Sequence, residues 1–109
     1  MGWGLFFVSK NPGDPSFNTN GMGMRVIERI LQKSGVWEDD VYFGFKSSPE
    51  ECLKIAEQIR AVDVETVRTI LDEEKCHDRN AEGHKSTYLQ EFADFCEMAS
   101  KHGGFVMTH

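Results

Sequence analysis

Cysteine is scarce in this chain. Only Cys52, Cys76 and Cys96 occur among 109 residues, and no two stand in a Cys-x-x-Cys spacing. An odd count argues against a closed disulfide framework, and reduced thiols suit a cytosol. Long apolar runs are missing too: none approaches the roughly 20 residues needed to cross a bilayer. The first apolar segment has no basic flank and no small-residue cleavage site, as a signal peptide would require. The expected location is therefore cytoplasmic, with no membrane partner. Basic clusters are also absent, with 12 Lys and Arg against 18 Asp and Glu for a net charge of −6. A nucleic-acid binder needs a basic face to displace counterions, so that class is excluded. With three prolines and no repeat or low-complexity stretch, residues 1–109 read as a single compact domain.

The acidity is uneven. Residues 1–46 balance at five charges of each sign, whereas residues 47–109 carry seven basic against thirteen acidic groups. Area scaling for 12.4 kDa gives about 6,100 Å² of folded surface, enough burial for one core without staples.

The apolar, aromatic run Trp3–Ser9 reads as a buried strand, closed by the turn around Pro12 to Pro15. A polar, glycine-rich lead-in, Asn18 to Met24, opens a helix over 22–34. Its stripe is Val26, Ile27, Ile30 and Leu31, with Gly35 at the left-handed cap. Val41–Phe45 reads as a second strand. Ser48-Pro49-Glu50-Glu51 carries a hydroxyl N-cap, Pro at the first helical position and Glu to close a capping box. It opens a helix to Ala61 with Cys52, Leu53, Ala56 and Ile59 on one face. Asp63 caps a third helix over 64–75. Residues 76–86 read as the least ordered stretch. A last helix over 87–102 buries Leu89, Phe92, Phe95, Cys96 and Ala99, and Phe105–Thr108 makes a final strand. The expected fold is α+β or α/β: a small three-stranded sheet covered by about four helices, in the order β-α-β-α-α-α-β. The first connection is long enough for a right-handed parallel crossover.

The segment Tyr88-Leu-Gln-Glu-Phe92-Ala-Asp-Phe95-Cys96, followed by Gly103-Gly104-Phe105, resembles the ending of a family of small uncharacterised bacterial proteins. The Asn20-Gly21-Met22 lead-in and the Glu51-Cys52-Leu53 to Ala56 helix are similar in placement. The resemblance implies a fold of this kind and assigns no catalytic residue.

Four constellations could carry chemistry. Cys76-His77-Asp78 with His84 places a thiol near imidazole and carboxylate, and His102 or His109 could supply a base. The same stretch also reads as a helix end and a polar loop. Cys76, His77, Asp78, His84, His102 and His109 are all ligand types zinc accepts, but the spacing matches no zinc motif, so no metal and no cofactor is expected. Asn20, Gly21, Gly23 and Arg25 form a glycine-rich helix start that could hold an anion or another small ligand. It lacks the third glycine of a dinucleotide fingerprint and the Lys-Ser/Thr of a P-loop. Twelve aromatic residues, some adjacent in strands, require either helices on both sheet faces or an open patch.

The leading expectation is a non-enzymatic, acidic, immunity- or inhibitor-like domain that docks a protein with a basic surface, through Asp72, Glu73, Glu74, His77 and His84. A homodimer is a second possibility. The alternative is a small-ligand binder or minor enzyme that uses the Asn18–Arg25 turn with the Cys76–His84 loop. Cys52 and Cys96 are expected inside, and Cys76 is expected to be the accessible thiol.

Overall fold

Alternation in β1 (Gly2–Phe7) buries Leu5 and Phe7 on one side and leaves Phe6 half-buried on the other. In the computed structural model, which describes residues 2–108, this strand pairs on both flanks. β2 (Phe17–Asn20) is antiparallel to it with Leu5 opposite Phe17, and β4 (Phe105–Thr108) is antiparallel to it with Phe7 opposite Phe105. The short β3 (Lys46–Ser47) pairs antiparallel with β4, which completes a sheet of order β2-β1-β4-β3.

Among the described residues the fold is therefore α+β, with four antiparallel strands instead of three and no parallel crossover. The added strand is Asn18–Asn20 with Phe17, whose polar composition hides a hairpin partner of β1. The expected strand Val41–Phe45 is not one. Its backbone turns at Phe43–Gly44, and Gly44 has φ +95°. The sheet residues of this region are the next two, Lys46 and Ser47.

The helices are α1 (Gly21–Lys33), α2 (Pro49–Ala61), α3 (Val64–Glu73), the short α4 (Ala81–His84) and α5 (Gln90–Ala99). Their starts follow the cap chemistry. The backbone N–H of Glu51 donates to Ser48 Oγ at 3.2 Å, and that of Thr66 donates to Asp63 Oδ1 at 2.7 Å. A side-chain oxygen at the N-cap satisfies a donor that the helix cannot. The α2 stripe is Cys52, Ile55, Ala56 and Ile59, whereas Leu53 is half exposed. The expected face was one residue out of phase at that position.

Residues 76–86 are more ordered than their composition suggests. Between α4 and α5 the chain makes a π-helical turn, Lys85–Leu89, broken at Thr87. The Thr87 hydroxyl donates to the Gly83 carbonyl at 2.7 Å and the Ser86 hydroxyl to the same oxygen at 3.3 Å. Such back-bonding bends helices. The last helix therefore starts at Gln90, three residues later than expected.

The core lies between the helices and one sheet face. Phe95 stacks on Phe7 at 5.0 Å, and Phe17 meets Phe92 at 5.3 Å. Helices do not cover the opposite face. There the Phe6 ring lies beside Gly4, and Lys10 Nζ sits 4.6 Å from that ring's centroid. The close approach of β3 to the entry of β4 requires glycine. Gly104 has φ +94°, and a Cβ there would stand 1.9 Å from the Ser47 carbonyl oxygen. The accessible surface is 6,067 Å² and the Cα radius of gyration 13.1 Å, matching the roughly 13 Å expected for a folded chain of this length. No described helix is long and apolar enough to cross a membrane.

Candidate functional site

Two segments that the sequence keeps some fifty positions apart meet in space. β2 runs straight into α1, and Asn20 is both the last residue of the strand and the N-cap of the helix. Its Oδ1 accepts the Gly23 N–H at 2.7 Å. Opposite this junction stand the loop after α3, α4 and the π-helical turn. Between them lies a cleft of about 600 Å³ lined by Thr19, Asn20, Met22, Gly23, Cys76, His77, Asp78, His84 and Tyr88. Ligand pockets of small-molecule binders span about 300–1,000 Å³.

One wall is built from a hydrogen-bonded chain. His84 is buried, with its Nε2 3.0 Å from the Asp78 carbonyl oxygen and its Nδ1 2.6 Å from the Tyr88 hydroxyl. The two residues are four apart, so the π-helical turn between them keeps both on one side. Burial pushes the Tyr88 phenol well above its usual range, and the neighbouring Cys76 and Asp78 add to the shift. The Asp78 carboxylate is largely exposed at the rim. Its Oδ1 accepts the Asn80 N–H at 3.0 Å, and its Oδ2 lies 3.6 Å from His84 Nε2. Cys76 is buried, with 6 % exposure, and lines the cleft floor. This corrects its expected role as the accessible thiol, since little of the side chain reaches the surface.

The residues expected at the helix start divide. Asn20 and Gly23 line the cleft, while Gly21 is exposed beside it. Arg25 is turned to the acidic groups Glu28 and Glu74, each at 3.7 Å. Of the expected docking residues, His77 and His84 line the cleft. Asp72, Glu73 and Glu74 are instead engaged with basic side chains. Asp72 pairs with Arg79 at 2.5 Å, Glu73 with Lys33 at 3.6 Å, and Glu74 with Arg29 at 3.3 Å. The acidic edge is thus largely neutralised within the molecule. His102 stacks on Phe7 at 4.5 Å, and His109 lies outside the described residues. Among the described residues, no three His, Cys, Asp or Glu side chains are grouped to hold a metal ion.

Thr19 and Met22 lie within the expected Asn18–Arg25 turn without having been singled out, and Tyr88 lies outside both expected segments. The i, i+4 spacing of His84 and Tyr88 was the available signal, since such pairs meet on a helix face. The chain matches no protein-family model, no curated protein and no solved structure.

Proposed function

We propose that this chain binds a small molecule in the cleft between the start of α1 and the Cys76–Tyr88 segment. The observation that carries this reading is the convergence there of Asn20 and Gly23 with His77 and His84. Apolar surface from Met22 and the Tyr88 ring supplies burial, and few polar groups fix orientation, as in small-molecule sites generally. The free, buried thiols suit a reducing compartment.

A fragment titration followed by amide NMR tests this. Shifts that saturate at Thr19, Gly23, His84 and Tyr88 are expected. Thermal stability should rise with ligand, by about 2.7 kcal/mol at a hundred times Kd. Met22→Trp, at an exposed position, fills the cleft and should abolish both effects. Fragments that bind elsewhere, or equally well to Met22→Trp, overturn the reading.

Docking of a protein with a basic surface is a second reading, and it has its own support. Tyr42 is 63 % and Phe43 44 % exposed, and the Phe43 ring packs tilted against Trp3 with centroids 4.4 Å apart, forming an aromatic ledge just before β3. Aromatic anchors of this kind are enriched at interfaces. Capture of a defined partner that Tyr42→Ser weakens, with the cleft empty of ligand, would favour it.

A further inference from the structure

The geometry points to a ligand with an apolar body and a primary ammonium group, bound with its N–H donors toward the Tyr88 hydroxyl oxygen and the Asp78 carboxylate. This rests on the cleft being a binding site.

The polarity of the wall follows from its hydrogen bonds. The Asp78 partner is a backbone carbonyl, which only accepts. At 3.0 Å from it, His84 Nε2 must carry the proton and donate. In a neutral imidazole the other nitrogen is then an acceptor. With the imidazole in that neutral form, the Tyr88 O–H, 2.6 Å away, donates to His84 Nδ1. Its proton is committed inward, and what the hydroxyl oxygen has left to offer is acceptor capacity. Donation along a chain of hydrogen bonds polarises each member and strengthens the terminal acceptor. The raised phenol pKa keeps this proton in place.

Charge adds to the selection. Asp78 is the carboxylate of the lining, its Oδ2 has only the 3.6 Å approach to His84, and no lysine or arginine is among the lining residues. The nearby arginines are occupied, Arg79 by Asp72 and Arg25 by Glu28 and Glu74. An anion would meet Asp78 and the Tyr88 oxygen, both acceptors. At the α1 start it would find the Gly23 N–H already taken by Asn20. An ammonium meets two acceptors, and Met22 and the Tyr88 ring take its apolar body.

The test compares benzylamine, toluene and benzoate by NMR titration of the full chain. Benzylamine should bind at least ten-fold more tightly than toluene, and benzoate more weakly than either. Tyr88→Phe keeps the ring and removes the acceptor, so it should reduce the benzylamine preference several-fold while toluene binding holds. Asp78→Asn, at an exposed position where folding is insensitive, should reduce benzylamine affinity without affecting toluene. If all three probes bind the cleft equally, or benzoate binds best, the ammonium assignment is overturned and the cleft reading stands. If none shifts the cleft amides, both fall.

Discussion

The Glu28 carboxylate accepts the backbone N–H of Val41 at 2.7 Å, joining the middle of α1 to the loop that precedes β3. Glu28 is buried within the α1 face, with Arg25 as its other polar contact at 3.7 Å. This bond engages the Val41 donor outside the sheet, while further along Gly44 N–H donates to the Met107 carbonyl at 2.7 Å and Met107 N–H to the Phe45 carbonyl at 2.8 Å.

Glu28→Ala should cost about 1–3 kcal/mol, the usual loss when a part-buried donor is left without its partner. Glu28→Gln retains an acceptor and should lose less. Chemical denaturation of both variants checks this. Equal losses would show that the bond to Val41 contributes nothing.

Phe95 is 3 % exposed and touches Phe7, Phe17 and Phe105. Phe95→Ala should cost about 3–5 kcal/mol, as truncation of a buried Phe does. A denaturant midpoint that barely moves would place this ring outside the core.

Tyr88 should make stability fall in alkali. Its phenol is raised in the folded state by burial, so folding favours the protonated form. The contribution is complete below the unfolded value near 10 and is lost as pH climbs above it. Stability measured from pH 9 upward should decline more steeply in the native chain than in Tyr88→Phe. Identical slopes would show the hydroxyl to be solvated.

The acidic edge should respond unevenly. Glu73 is an exposed partner of Lys33, so Glu73→Lys should stay within about 0.5 kcal/mol. Glu74 is more enclosed and faces Arg25 and Arg29. Glu74→Lys brings three cations together and should cost about 1 kcal/mol or more. Equal melting temperatures for the two variants would contradict the ion-pair arrangement.

The thiols should react in order of access. Burial raises the Cys52 and Cys96 thiols, so their modification should wait for unfolding. Cys76 lines the cleft and should react first, though slowly, and an occupant of the cleft should protect it. Simultaneous reaction of all three would mean that opening is global.

What could be read from residues alone were the features set by local chemistry. Ser48 and Asp63 announced α2 and α3 because a side-chain cap acts within one turn. Gly35, at φ +80°, ended α1 where its left-handed conformation was expected. β2 was invisible because Asn18 and Asn20, on either side of Thr19, have little strand preference. They are extended through pairing with Gly2 to Gly4, a tertiary effect that overrides propensity. Val41–Phe45 misled for the opposite reason: its residues favour strands, but Gly44 and the bond to Glu28 redirect them. The Asn18–Arg25 turn and the Cys76–His84 loop were joined in one reading by their chemistry, but nothing in their spacing along the chain could show that they face one another across a cleft.

Asn20 leaves no slack between sheet and helix, since it ends β2 and caps α1 with no residue intervening. A push on Gly23 or Met22 from inside the cleft is therefore a pull on the β1–β2 ladder. Occupancy should slow hydrogen exchange of the Trp3 and Leu5 amides, on a strand that contributes the far side of the hairpin. The hairpin acts as a strain gauge for the cleft, readable one strand away from its lining.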